Sequence, residues 1–108
     1  MPMSDALTLR QQITHTLTGG LYSARDLAHL YAIPEREAED HLSHIARSLT
    51  RDRTRRFVRE TAECHQCGFL FRDRVRFTRP GRCPACRSER ISSPRFGIRA
   101  LPSSRSGP

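Results

Sequence analysis

Cys64-His65-Gln66-Cys67 and Cys83-Pro84-Ala85-Cys86 are separated by 15 residues, and these two C-x2-C pairs hold all four cysteines of the chain. Each pair lets two thiolates reach one ion from a tight knuckle, and two knuckles close a tetrahedral S4 shell, the pattern of a structural zinc site. Gly68, directly after the first pair, suits a turn position that needs positive φ. Pro84 stiffens the second pair where a backbone N–H is dispensable. A disulfide framework would require an oxidising compartment, and Met1 to Arg10 lacks the apolar stretch of a secretory signal. A redox C-x-x-C normally lies in a thioredoxin-like βαβ pattern, which is missing. Iron satisfies the same four thiolates, so zinc and iron stay open by ligand type, while ligand count and spacing favour one structural Zn2+. With Cys64, Cys67, Cys83 and Cys86 filling the shell, no coordination position is left for a catalytic water. His65, between ligands, reads as a solvent-facing knuckle residue.

Outward from the knuckles, the residues from Gly68 to Phe77 alternate loosely and carry Phe69, Phe71 and Phe77. Those from Ile91 to Ile98 carry Phe96 and Ile98. Both stretches read as short strands. Three short antiparallel strands and two knuckles make a zinc ribbon over residues 61–99, with the phenylalanines as its small core. So small a unit buries little apolar surface, and metal binding worth roughly 10–16 kcal/mol in apparent terms supplies most of its folding energy.

Upstream, Ala6, Leu9, Ile13 and Leu17 fall within one arc at helical spacing, and Gly19-Gly20 ends the pattern, predicting a helix over Asp5 to Thr18. Ser23-Ala24-Arg25-Asp26 opens a second helix as a capping box, containing Leu27, Leu30 and Tyr31. Pro34 is expected as the first residue of a third, whose buried face is Ala38, Leu42, Ile45 and Leu49. Glu35, Glu37, Glu39 and Asp40 suit the positive end of its dipole. Three helices, the last two joined by a tight turn, have the layout of a helix-turn-helix, although a generic three-helix bundle gives the same periodicity. Phe57 and Val58 point to a strand after the third helix, and thus to a wing. The fold class expected is α+β: a three-helix, winged helix-turn-helix domain over residues 5–60, the ribbon, and a disordered tail over 100–108.

The charge narrows the partner. All 19 Lys+Arg residues are arginine, against 11 acids, a formal net charge of +8. Arg51-Asp52-Arg53-Thr54-Arg55-Arg56-Phe57-Val58-Arg59 suits a wing or linker touching phosphates, or else a solvated basic connection. Opposite Leu42, the third helix exposes Arg36, Glu37, Asp40, Ser43, His44, Arg47 and Arg51. That face is mixed in sign, and its acids can accept from cytosine amino groups or simply pair with Arg36 and His44 one turn away. Arg72, Arg74, Arg76, Arg79 and Arg82 run along the ribbon, the even-numbered ones sharing one face of a strand until Phe77. His41 and His44, three apart, are a conceivable second metal pair, but neighbouring surface histidines are more often simply polar. No apolar run approaches the roughly 18 residues that cross a bilayer, so a soluble, cytoplasmic protein without a membrane partner is expected.

The chain resembles a family of small prokaryotic predicted transcriptional regulators that fuse an N-terminal helix-turn-helix domain to a C-terminal zinc ribbon. The resemblance runs from about Ala6 to Ile98. It rests on His41-Leu42-Ser43-His44-Ile45-Ala46-Arg47-Ser48-Leu49, Cys64-His65-Gln66-Cys67-Gly68-Phe69-Leu70-Phe71, Arg79-Pro80-Gly81-Arg82-Cys83-Pro84-Ala85-Cys86-Arg87-Ser88-Glu89 and Pro94-Arg95-Phe96-Gly97-Ile98. It implies a winged-helix-like fold, zinc on the four cysteines and a DNA-binding role. The acidic start of the third helix departs from a strongly basic reading head.

The leading expectation is a regulator of transcription that binds double-stranded DNA. Arg36, Ser43 and Arg47 would lie nearest the bases, with Arg51, Arg53, Arg55 and Arg56 on phosphates. The alternative is a zinc-ribbon adaptor docking on the transcription or translation machinery, with Arg72, Arg74 and Arg76 meeting an acidic protein. An enzyme is not expected, because the only clustered chemistry is a filled metal shell and His15, His29, His41, His44 and His65 form no acid, base or nucleophile set. No heptad or long free helix supplies a dimer seam.

Overall fold

A computed structural model describes residues 7–102. The elements in chain order are α1 (Leu9–Leu17), α2 (Ala24–Tyr31), α3 (Glu35–Leu49), β1 (Arg55–Glu60) and β2 (Arg95–Ala100). α1 begins later than its apolar spacing suggests. Thr8 accepts from the Gln11 N–H at 3.1 Å and Gln11 Oε1 accepts from the Thr8 N–H at 2.8 Å, so a capping box fixes the start at Leu9. Asp5 and Ala6 lie outside the described residues. The capping box at Ser23 and Asp26 is present in both directions, at 2.9 and 3.0 Å. Pro34 is the N-cap of α3, one position before the expected one. Its extended ψ of 149° keeps it outside the helix while its carbonyl accepts from Glu37 and Ala38. Ala32 makes the preceding turn in the left-handed region, φ 53°.

The three helices bury one another's apolar stripes. Ile13 and Leu17 of α1, Leu27 of α2 and Ala38 and Leu42 of α3 are fully inaccessible, with Ile45 and Leu49 nearly so. Leu30 of α2 is 58% exposed, so that helix buries Leu27 and leaves Leu30 toward solvent. After α3, Asp52 organises the turn into β1. It accepts from the Thr54 hydroxyl and N–H, both at 2.7 Å, and from the Arg55 N–H at 3.0 Å. These bonds, the Thr54 hydroxyl foremost, hold its carboxyl down to about 2.

The sheet departs from expectation. β1 pairs with β2, antiparallel, from Arg55↔Ala100 through Phe57↔Ile98 to Glu60↔Arg95. The strand expected to complete the ribbon thus pairs with β1 and packs on the helical core, and residues 61–94 form an insertion between two neighbouring strands. Within that insertion the described backbone makes only the isolated bridges Glu63↔Leu70 and Cys64↔Ile91 in place of the strands expected there. Some of its N–H groups close the knuckle turns, and those of His65, Phe71 and Ser92 donate across these bridges to the carbonyls of Arg90, Ala62 and Glu63. Nor is Ala100 the start of a tail: it ends β2, and the Leu101 N–H donates to the Thr54 carbonyl at 2.8 Å. Residues 103–108 lie outside the described set.

The physical reason is side-chain burial. Phe96 and Ile98 lie on the helical core beside Ile13, Leu17 and Leu42, where far more apolar surface is available than between the knuckles. Phe96 is fully buried, stacking on Phe57 at 5.7 Å and meeting Phe77 at 5.1 Å. Its backbone exchanges two hydrogen bonds with Tyr22, at 2.9 and 2.8 Å, adding the α1–α2 connection to the sheet as a third, single-residue rung. Phe71 alone of the phenylalanines packs on the ribbon's own core of Ala62, Cys64, Cys83 and Ile91.

Gly97 makes this close approach possible. A Cβ there would lie 2.7 Å from the Gly20 carbonyl oxygen and 3.1 Å from Leu21 Cδ2. Gly97→Ala forces β2 away from the α1–α2 connection and is expected to destabilise the zinc-loaded protein by about 1–3 kcal/mol. Urea denaturation followed by far-UV circular dichroism measures this, and an unchanged midpoint would remove the assigned contact.

Candidate functional site

The two knuckles are built alike. In each, the first cysteine donates its N–H to the carbonyl five residues on, Cys64 to Phe69 at 2.9 Å and Cys83 to Ser88 at 2.8 Å. The residue four positions on donates back, Gly68 to Cys64 at 2.9 Å and Arg87 to Cys83 at 2.8 Å. Gly68 adopts φ 83° and Arg87 adopts φ 66°, so the second knuckle places an arginine where the first uses glycine. Cys64 Sγ accepts from the Gln66 N–H and Cys83 Sγ from the Ala85 N–H, both at 3.3 Å.

These turns bring all four sulfur atoms within 4.8 Å of one another. Cys64 faces Cys86 and Cys67 faces Cys83, each pair at 3.6 Å. That separation is far beyond an S–S bond of about 2.05 Å. It matches the edge of a tetrahedron, about 3.8 Å, that Zn–S bonds of about 2.3 Å generate. Burial opposes charge on Cys64, but the N–H groups of Cys67 and Gln66 and the neighbouring thiols outweigh it and bring the thiol down to about 6. At Cys86 the Ser88 N–H favours the thiolate, yet desolvation and hydrogen bonds to the other three sulfurs prevail and push it up to about 12. A divalent cation bound by four thiolates displaces the protons the thiols would otherwise carry. One structural zinc fits this donor set and would crosslink the two knuckles.

His41 and His44 do not add a second metal site. His41 Nδ1 accepts from Arg10 Nε at 3.1 Å, its Nε2 lies 3.6 Å from Glu37, and His44 is exposed. Among the described residues the four cysteines are the one grouping of three or more potential ligands. His65 is exposed, as expected of a knuckle residue.

The insertion is fastened to α3. Glu39 accepts from Arg76 Nε at 2.9 Å and Nη2 at 3.2 Å, and from the Phe77 N–H at 2.9 Å. The Arg76 hydrogen bond is the main reason its carboxyl lies below the ordinary glutamate value. Beside this clasp the Arg59 guanidinium covers Phe77 at 4.8 Å and Phe96 at 5.2 Å, and its Nη1 donates to the Arg74 carbonyl at 2.9 Å. Arg72, Arg74 and Arg76 therefore form no common strand face. Arg74 is half-buried and donates to the Thr78 carbonyl, Arg76 is spent on Glu39, and Arg72 is exposed.

The other expected contact residues are divided. Arg36 stands in the first turn of α3 and Arg47 in the last, on the same face but about 16 Å apart along the axis. Ser43 between them is half-buried. Arg47 and Arg51 share a shallow cleft with His44, Ser48 and Thr50. Arg51, Arg53 and Arg56 are exposed and, among the described residues, unpaired with any acid. Arg55 is half-buried and ion-paired with Asp52 at 3.3 Å, which lessens its availability to a phosphate. Sequence reasoning overlooked Arg25, which joins Arg36, Arg76 and Arg79 at a second cleft; nothing local marks residues so far apart in the chain.

Residues 8–58 match the family described as PF0610-like, N-terminal, and residues 61–100 match the PF0610 rubredoxin-like zinc beta-ribbon domain. The chain carries a PF0610-like N-terminal domain and a rubredoxin-like zinc ribbon. It is similar to the solution NMR structure of protein PF0610 from Pyrococcus furiosus, with 28% identity over 91% of each chain and a TM-score of 0.68. No curated protein matches it. The ribbon match extends through β2, although the structure pairs that strand with β1 of the PF0610-like N-terminal domain. No helix among the described residues is long and apolar enough to cross a membrane.

Two measurements test this account. The PF0610-like ribbon should hold one zinc per chain by native mass spectrometry, with an apparent affinity that falls by more than about tenfold per pH unit on acidification, as protons compete for the sulfurs. A pH-independent affinity would contradict ligation by four thiolates. Glu39→Gln should cost about 1 kcal/mol at neutral pH, the pair being partly screened by the exposure of Arg76. Because the Glu39 carboxyl is lowered on folding, its contribution is present above the ordinary value of 4.5 and is lost as pH falls through the lowered one. The gap between wild type and Glu39→Gln in urea midpoints should therefore close in acid.

Proposed function

We propose that this protein is a DNA-binding regulator of transcription whose N-terminal domain is a winged helix-turn-helix with its wing enlarged into the zinc ribbon. The observation that carries the reading is the order helix, single-residue rung, helix, helix, strand, insertion, strand, combined with free arginines that run from the end of α3 into β1. In this reading α3 enters the major groove with Ser43 and Arg47 on the side facing the bases, while Arg36, expected beside them, lines the cleft shared with α2 and the ribbon. Arg51, Arg53 and Arg56 hold phosphates beside it, and Arg55 contributes less because Asp52 neutralises it. The ribbon docks on α3 at Glu39, on the flank of the reading face, and so does not cover Arg47.

A second reading, a protein adaptor, draws on the ribbon. Val75 is 80% exposed and Phe69 and Leu70 are each more than a third exposed, near Arg72, which suits a partner with apolar anchors and acidic flanks.

Fluorescence anisotropy of the zinc-loaded chain against promoter fragments, titrated with salt and challenged with unrelated duplex, separates the two. A regulator keeps a preferred fragment under competition. The triple variant Arg51→Gln/Arg53→Gln/Arg56→Gln should weaken binding to every duplex and flatten the log–log salt slope by about 2–3. Binding that is equal for all duplexes and vanishes near physiological salt would sink the regulator and leave the adaptor.

A further inference from the structure

Three parts of the chain remote in sequence meet at one cleft of about 490 Å³. Arg25 comes from the first turn of α2, Arg36 from the first turn of α3, and Arg76 and Arg79 from the ribbon; Glu35 and Glu39 are the acids beside them. Glu39 and Arg76 satisfy each other. Arg79 is held from behind, its Nη1 donating to the carbonyls of Glu89 at 3.2 Å and Ile91 at 3.5 Å, which leaves its other nitrogens uncommitted. Arg25, Arg36 and Arg79 are exposed, and among the described residues none has an ion-pair partner. Three unpaired guanidinium groups thus share one concavity with a single uncommitted carboxylate, Glu35, and the Thr78 hydroxyl.

Like charges gathered in a concavity repel and raise the local concentration of anions there. The guanidinium fork matches a phosphate oxygen pair, and several forks converging from different directions are selective for a tetrahedral, multiply charged anion over chloride. We propose that the cleft between α2, α3 and the ribbon is a phosphate-binding site formed by Arg25, Arg36 and Arg79. The phosphate is either a phosphodiester of a DNA backbone, in which case the inference deepens the reading above and rests on it, or the free phosphate group of a small molecule. In both cases the site exists only when the ribbon is docked, because the Glu39–Arg76 clasp brings Arg79 to the helices.

The test uses the full zinc-loaded chain, labelled with 15N. Inorganic phosphate is titrated at constant ionic strength against chloride, following the amides of Glu35, Arg36, Thr78 and Arg79, and duplex affinity is measured in parallel. Arg25→Gln/Arg36→Gln is compared with the charge-matched Arg90→Gln/Arg99→Gln, which lies outside the cleft. Saturable shifts with phosphate and not chloride, weakened at least about tenfold only by the cleft variant, support a free phosphate ligand. Duplex affinity lowered at least about fivefold by the cleft variant and little by the control, without saturable phosphate shifts, supports the backbone source. If phosphate shifts do not saturate and the two variants lower duplex affinity alike, the site is overturned while DNA binding stands. If phosphate saturates the cleft and no duplex binds at any salt, the site stands and the regulator reading falls.

Discussion

The pairing of β1 with β2 is the constraint on which the rest of the structure depends. Closing the ladder at Glu60↔Arg95 loops out everything from residue 61 to 94, at an entropic cost that grows slowly with loop length. Burial of Phe96 and Ile98 on the helical core offsets that cost from one side. A metal crosslink between the knuckles offsets it from the other, by removing freedom from the looped chain. The two halves are therefore thermodynamically linked: β2 is the strand the ribbon must deliver, and its burial completes the helical core.

A shared aromatic cluster makes that linkage directional. Phe57 of β1, Phe77 of the insertion and Phe96 of β2 meet under the Arg59 guanidinium, and the adjacent Glu39 carboxylate collects Arg76 and the Phe77 N–H. One apolar and one ionic contact define a fixed direction for the ribbon along α3. Several of the acids are consumed in such contacts: Glu39 with Arg76, Asp52 with Arg55, Glu60 with Arg95, Glu89 with Arg82. Part of the positive charge that remains gathers in two surface patches, at the end of α3 and at the junction of α2, α3 and the ribbon.

Much of the local structure was legible in the residues themselves. The apolar spacing Ala38, Leu42, Ile45, Leu49 identified the buried face of α3, and Ser23 with Asp26 identified the start of α2, because both depend on interactions within a turn or two of helix. The capping box that starts α1 is equally local, yet Thr8 and Gln11 sit inside a run whose apolar pattern continues past them. The expected pairing of Arg72, Arg74 and Arg76 on one face failed because it assumed a strand, and the backbone there turns to reach Glu39.

The sequence by itself determined the four-cysteine metal site, the three helices and the excess of arginine, since spacing, periodicity and charge are properties of neighbouring residues. Only the tertiary structure decided that the last strand leaves the ribbon for the helical core, that Arg55 and Arg76 are neutralised, and that Arg25, Arg36 and Arg79 converge. Those outcomes compare partners tens of residues apart. For Phe96 and Ile98 the deciding quantity was how much apolar surface each alternative removes from water, which becomes definite only when the chain is packed.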